Sequence, residues 1–194
     1  AMSFTLTEAN AGSDSAAIRT QYVVDGDSVI INGRKSFISN GEVADLYLLF
    51  ATKDPSLRGK GISCFIVPRT AAGISIGKHE DKMGYRTSCT NDVVFEDVRI
   101  PPKNMIGEEG QGMDIVKRSL GYTRPTSGAG AVGNAQYAYE CAVEYSKMRE
   151  TFGKPICKNQ GISFMIADMY TKLEAARQMV WHACKCADAG ITDT

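Results

Sequence analysis

The sequence predicts an α+β, multidomain chain: a β-barrel or sandwich over residues 1–102, then an all-α part over residues 103–194. Three observations carry this. Before Pro101-Pro102, short runs of β-branched and aromatic residues alternate with turn signals, the pattern of an all-β unit. After it, apolar residues recur at spacings of three and four, the period of amphipathic helices. The 194 residues, 43% hydrophobic and 23% charged, are enough to bury a core in one large or two small domains.

The elements follow in order. The chain opens on the strand-like run Phe4-Thr5-Leu6-Thr7. Gln21 to Val24 and Ser28 to Asn32 flank Asp25-Gly26-Asp27 and read as a hairpin. Leu46 to Thr52, Ile62 to Val67, Ile74 to Gly77 and Asn91 to Ile100 are further strands, with Gly59-Lys60-Gly61 and Ala71-Ala72-Gly73 as breaks. A first helix is predicted over about Thr126 to Arg149, with Val132, Ala135, Tyr139, Ala142 and Val143 at helical spacing. Its Gly128, Gly130 and Gly133 each lower helix propensity by roughly 1 kcal/mol, a cost tolerated where another backbone packs closely. Thr151 to Asn159, with Gly153 and Pro155, is a linker. Ile162, Met165, Ile166, Met169, Leu173, Ala176, Val180 and Ala183 mark a second helix, with Asp168 and Lys172 paired on its other side. Two such helices cannot enclose a helical core alone, so further helices or partners are expected.

Lys+Arg 22 against Asp+Glu 22 leaves no basic field for nucleic acid or an anionic membrane surface. No apolar run approaches the roughly 20 residues of a membrane span, and no secretion signal is visible at Ala1-Met2-Ser3-Phe4. Six cysteines without a zinc-like spacing read as free thiols in a reducing compartment. His79 and His182 lack a matching ligand set, so no metal is expected, and His79 in its charged run is expected to be solvated.

Four stretches carry a family resemblance. They are Leu6-Thr7-Glu8-Ala9-Asn10-Ala11-Gly12-Ser13-Asp14, Asn32-Gly33-Arg34-Lys35-Ser36-Phe37-Ile38-Ser39-Asn40-Gly41, Val94-Phe95-Glu96-Asp97-Val98-Arg99-Ile100-Pro101, and Arg149-Glu150-Thr151-Phe152-Gly153-Lys154-Pro155-Ile156. In this order the chain resembles the acyl-CoA dehydrogenases along essentially its whole length. The resemblance implies a middle β-barrel domain over 1–102 and the first helices of the C-terminal helical bundle over 103–194. It implies FAD as cofactor, an acyl-CoA thioester as substrate, a glutamate base, and electrons leaving to electron-transfer flavoprotein. A homotetramer, in a bacterial cytoplasm or a mitochondrial matrix, is implied for the complete enzyme.

The resemblance also assigns residues. Phe4, Leu6 and Thr7 would meet the flavin, and Ser13 the CoA part of the substrate. Phe37, Ile38 and Ser39 stand where many relatives have Trp-Ile-Thr beside the flavin. Tyr122, Thr123 and Arg124 would contact substrate near the start of a helix. Thr123 occupies a position that carries the catalytic glutamate in some relatives and a small residue in medium- and short-chain types. No catalytic residue is therefore expected in this chain, and a short- to medium-chain substrate is. Arg149, Thr151, Asn159 and Gln160 resemble segments that bind the pyrophosphate and adenosine of a neighbouring subunit's FAD. From the residues alone, Thr7 and Ser13 are turn chemistry, Phe37 is core packing, and Arg149 closes a helix. Two rival functions stand beside this one: a non-catalytic binding or assembly module, and an acyl-CoA oxidase-like enzyme.

Overall fold

Asp25-Gly26-Asp27 turns as its residue types require. Strands β2 (Gln21–Asp25) and β3 (Ser28–Ser39) pair antiparallel from Asp25↔Ser28 to Gln21↔Asn32, with Gly26 at φ +57°. The structure is a computed structural model, and it describes residues 1–191. The other strands are β1 (Met2–Thr5), β4 (Leu46–Thr52), β5 (Ile62–Pro68), β6 (Ile74–His79), β7 (Thr90–Ile100) and β8 (Met105–Ile106). They form one eight-stranded sheet in the order β6-β7-β3-β2-β4-β5-β8, with β1 parallel to β4 off that path.

The sheet curls around a single core. Tyr47 of β4 meets Phe95 of β7 edge-on at 5.9 Å although β3 and β2 lie between those strands in the pairing order. Inward positions recur at every second residue: Val29 and Ile31 on β3, Tyr47, Leu49 and Ala51 on β4, Phe65 and Val67 on β5. Two buried tyrosine tips find partners: the Tyr22 and Ser63 hydroxyls meet at 3.0 Å, and Tyr47 donates to the Gly41 carbonyl at 2.8 Å.

Two compact units emerge: Ala1–Val116, and a second from Lys117 onward. The boundary expected at Pro101-Pro102 falls earlier, because β8 still pairs with β5 through Cys64↔Ile106 and Phe65↔Met105. The first helix also begins earlier than the expected Thr126. Helix α1 spans Gly112–Met148 and runs unbroken through Pro125. The Gln111 carbonyl accepts from the Asp114 and Ile115 amides to start it, and Asp114 favours the positive end of the helix dipole. Beside the proline, the Thr126 and Ser127 hydroxyls donate to the Tyr122 and Thr123 carbonyls, each at 3.1 Å.

In the second unit α2 (Gln160–Asp188) packs antiparallel to α1. Gly128 faces Val180, Arg177 Nη2 donates to Gln136 Oε1 at 2.6 Å, and the Tyr139 and Tyr170 rings lie 5.6 Å apart. Lys172 Nζ lies 2.6 Å from Asp168 Oδ2, the pair its spacing predicted. Between the helices the expected linker is ordered as a hairpin, β9 (Glu150–Thr151) with β10 (Lys154–Pro155), turned by Phe152 and Gly153 at φ +54° and +72°. Among the described residues no helix is long and apolar enough to cross a membrane. The six cysteines are all free.

Candidate functional site

The segment Ser3–Glu8 and the end of β3 run side by side, although some thirty residues separate them in sequence. Ser3 Oγ donates to the Ser39 carbonyl at 2.6 Å, and the Ser36 amide donates to the Thr7 carbonyl at 2.9 Å. Lys35 Nζ reaches the Leu6 carbonyl at 2.9 Å. Five of the expected residues thus share one edge with Thr7: Phe4, Leu6, Phe37, Ile38 and Ser39.

Their exposure divides them. Phe37 is 61% exposed and Phe4 39% exposed, the latter tilted on Phe50 at 5.0 Å. Ser39 is exposed and Thr7 half-buried. Leu6 and Ile38 point into the sheet unit and are buried. Those two can meet a ligand through backbone groups alone.

Phe37 reverses the core packing that its residue type suggests. The β3–β7 register slips between Lys35 and Ile38, and this bulge turns Phe37 outward at φ +57°. The left-handed region costs a non-glycine residue about 1–2 kcal/mol, so the surrounding pairing must impose it. Lys35 and Ser36 are consecutive buried positions, which is how the alternation changes phase here.

Behind this edge lies an ion pair that the sequence reading did not single out. Lys35, 0% exposed, sits 2.8 Å from Glu8 Oε1, and Glu8 is 5% exposed. The same carboxylate accepts the Arg19 amide at 2.6 Å and the Thr20 amide at 2.9 Å. Burial pushes the Lys35 ammonium down to about 8 against the opposing pull of Glu8. For Glu8 burial acts upward, but the Lys35 charge and the hydrogen bonds from Lys35 and Thr20 outweigh it and hold the carboxyl below its ordinary range. A signal for Lys35 existed: it continues the odd-numbered inward phase of Val29 and Ile31.

Ser13 lies exposed in the loop after this edge, next to Asp14, whose carboxylate holds Arg58 through both oxygens at 2.6 and 2.8 Å. His79, expected to be solvated, is exposed with its Nδ1 3.3 Å from Asn91 Nδ2.

The second unit carries the remaining expected residues in two places. Tyr122, Thr123 and Arg124 are exposed, and lie within α1, about three turns past its first residue rather than near a helix start. Consecutive positions on a helix diverge by about 100°, so these three cannot all face one ligand atom. Arg124 borders a shallow depression with Gly121, Pro125, Met179, Val180 and Ala183. Arg149, Thr151, Asn159 and Gln160 gather around the β9–β10 hairpin. The Ile156 amide donates to the Arg149 carbonyl at 2.8 Å and the Asn159 amide to the Ile156 carbonyl at 2.9 Å. Asn159 caps α2 by its carbonyl and makes no side-chain cap bond, and Gln160 opens the helix, where amide dipoles favour anions.

A flat heteroaromatic with a polar edge suits the sheet unit's site: an exposed ring face from Phe37, the half-exposed Phe4 ring, and rim hydroxyls from Thr7 and Ser39. Among the described residues no group of three or more His, Cys, Asp or Glu is placed to hold a metal.

The family model "Acyl-CoA dehydrogenase, middle domain" matches residues 3–98, and "Acyl-CoA dehydrogenase, C-terminal domain" matches residues 110–194. The short-chain specific acyl-CoA dehydrogenase of Clostridium acetobutylicum is 45% identical over 189 residues, which is 97% of this chain and 50% of that protein. The structure of butyryl-CoA dehydrogenase from Megasphaera elsdenii matches with a TM-score of 0.93 and 46% identity, over 97% of this chain and 50% of that one. A chain in the structure described as the electron transferring flavoprotein of Acidaminococcus fermentans matches with the same TM-score of 0.93 and 46% identity, again over 97% and 50%. The chain spans about half the length of the curated relatives it matches. With a curled middle sheet and a following helical unit each matched by its own family model, the chain belongs to the acyl-CoA dehydrogenase family.

Proposed function

We propose that this chain serves an FAD-dependent enzyme that removes the α- and β-hydrogens of a short, straight acyl-CoA, giving a trans-2-enoyl-CoA, with electrons passed to electron-transfer flavoprotein. The observation that carries the reading is Phe37, held outward by a β-bulge in a strained conformation beside Thr7 and Ser39. An aromatic there gains no core packing, and its outward ring face is free to stack on a flat ligand, which supports the reading.

When bound, FAD supplies the acceptor for the β-hydride. The chain's own residues bind and orient. Phe37 and Phe4 offer apolar ring surface. Thr7 and Ser39 offer hydroxyl and backbone groups to polar edge atoms, while Leu6 and Ile38 contribute backbone. Arg149, Thr151, Asn159 and Gln160 suit a diphosphate and adenosine, as a guanidinium, a hydroxyl and a helix start would. In the homotetramer we propose, they serve a neighbouring subunit's cofactor. Ser13, Tyr122 and Arg124 are assigned to the acyl-CoA. Thr123 cannot act as a base, so the α-proton is taken by a carboxylate on another segment of the enzyme. The preference for a short chain is supported by Thr123 and by relatives named short-chain specific and butyryl-CoA dehydrogenase.

The test uses the full-length protein containing this chain, loaded with FAD. Butyryl-CoA should bleach the flavin's visible band far faster than palmitoyl-CoA does, with reoxidation by electron-transfer flavoprotein faster than by oxygen. Equal rates with both substrates would sink the chain-length assignment. Rapid oxygen consumption would favour the oxidase-like reading, and no bleaching by any acyl-CoA would end the proposal.

A further inference from the structure

We propose that the buried Lys35–Glu8 pair is a positioning device for the flavin-facing edge, in which the Lys35 ammonium holds and polarises the Leu6–Thr7 peptide so that the Thr7 amide is presented as a strengthened donor. The inference rests on the flavin reading above and names residues that act through that edge without touching the ligand.

Three segments converge on one ammonium and one carboxylate. Lys35 Nζ bonds the Leu6 carbonyl at 2.9 Å and Glu8 Oε1 at 2.8 Å, and Glu8 in turn holds the amides of Arg19 and Thr20. The clamp therefore fixes Leu6, Thr7 and Glu8 relative to β3 at the residue where the bulge begins, two positions before Phe37. The Leu6 carbonyl and the Thr7 N–H belong to one trans peptide group and point in opposite directions. A cation on the carbonyl draws electron density from the peptide and makes its N–H a better donor, in the way that hydrogen-bond chains reinforce one another. That N–H has no backbone acceptor among the described residues, whereas the Thr7 carbonyl is used by Ser36.

Stability alone does not account for the arrangement. A buried ion pair is commonly no better than an apolar pair of equal volume, because desolvation offsets attraction. An apolar pair could fill the space but could not anchor the Leu6 carbonyl.

The test separates positioning from folding. In the full-length enzyme, Lys35→Met leaves Glu8 buried and alone and is expected to lower the unfolding midpoint. Lys35→Met combined with Glu8→Gln has no orphaned charge and should recover most of that midpoint. The recovered double variant should still exchange its amides over residues 4–9 about ten-fold faster than wild type, with Leu46–Val67 unchanged. Loaded with FAD, it should show a shifted visible spectrum and a lower flavin midpoint potential. Glu8→Gln alone, which keeps the Lys35–Leu6 bond, should move the spectrum less than the double variant does. A double variant with wild-type exchange, spectrum and potential overturns the proposal, as does faster exchange with an unchanged spectrum and potential. If the unsubstituted enzyme binds no FAD, the functional reading and the flavin half of this inference fail together, while exchange over residues 4–9 still decides whether the clamp exists.

Discussion

Phe37 occupies a conformation that glycine would adopt without cost, and that makes it a place where stability and binding can be set against each other. Phe37→Gly removes a left-handed phenylalanine at φ +57°, relieving about 1–2 kcal/mol, and loses part of this to the greater entropy of unfolded glycine. The expected outcome is an unfolding midpoint equal to wild type or higher, with FAD binding weakened at least several-fold in a fluorescence titration. A lowered midpoint with unchanged binding would make Phe37 a packing residue after all. Glu8 predicts a pH dependence. Its folded-state pKa lies below its ordinary value of 4.5, so as pH falls the unfolded chain takes up its proton first. The stability it contributes is complete above about 4.5 and is lost as pH falls through the folded value. The urea midpoint of Glu8→Gln should therefore fall less steeply with acidification than that of wild type. Parallel curves would count against it. Lys35 acts with the same sign in a more alkaline window, since between about 8 and 10.5 the unfolded chain holds a proton that the folded one has released. In that window its effect on stability rises with pH.

At the scale of elements, Gly128, Gly130 and Gly133 of α1 are not equivalent. A Cβ on Gly128 would stand 3.0 Å from Val180 Cγ2, whereas one on Gly130 or Gly133 would meet nothing within 4 Å. Gly130→Ala and Gly133→Ala should each stabilise the chain by roughly 1 kcal/mol through helix propensity. Gly128→Ala should give less or reverse the sign, as the α1–α2 contact gives way. Thermal unfolding followed by circular dichroism orders the three. The expectation that close packing explains such glycines holds at Gly128 only. Strands β2 to β7 were legible, β3 only as far as Asn32 of a strand that runs to Ser39, because alternation and turn residues point the same way there. The start of α1 was not, because Gly121 and Pro125 weaken local propensity while the Thr126 and Ser127 back-bonds that accompany the helix through that stretch are tied to no sequence period. The bulge at Phe37 escaped for a related reason: one slipped residue reverses every later inward position, and no residue type announces it.

For the whole molecule, the expected site residues fall in two separate units, and the sequence could connect them only through family resemblance. Phe4 to Ser39 come together by sheet pairing, which strand periodicity anticipates in part. Tyr122 to Arg124 and Arg149 to Gln160 belong to the helical unit, and nothing in local pattern joins them to the first group. Thr123 supplies the prediction at this scale. With FAD and butyryl-CoA bound, the 194-residue chain should show no substrate-dependent bleaching. Thr123→Glu installs a carboxylate on exposed helix surface, where glutamate is the better helix former, so folding should be unharmed. A positioned base is worth about 10²- to 10⁴-fold in rate, and a gain within that range is expected. Bleaching by the unsubstituted chain, or none by the variant with both ligands bound, would refute the role given to position 123.

The pairing of β3 with β7 also has a consequence for chain synthesis. Val29 pairs with Ile100, which emerges 71 residues later (100 − 29). At about 5–20 residues per second, the outer edge of the β2–β3 hairpin waits roughly 4 to 14 s for its partner, although a hairpin closes in microseconds. Throughout that delay Val29, Ile30 and Ile31 form an unpaired, β-branched edge, the kind that recruits strands from other chains. Lys35, destined for the interior, is then still hydrated and charged on that edge. Lys35→Met should accordingly aggregate more during refolding as protein concentration rises, even when combined with Glu8→Gln to restore the native midpoint. The lysine that later anchors the Leu6 carbonyl guards the nascent chain first.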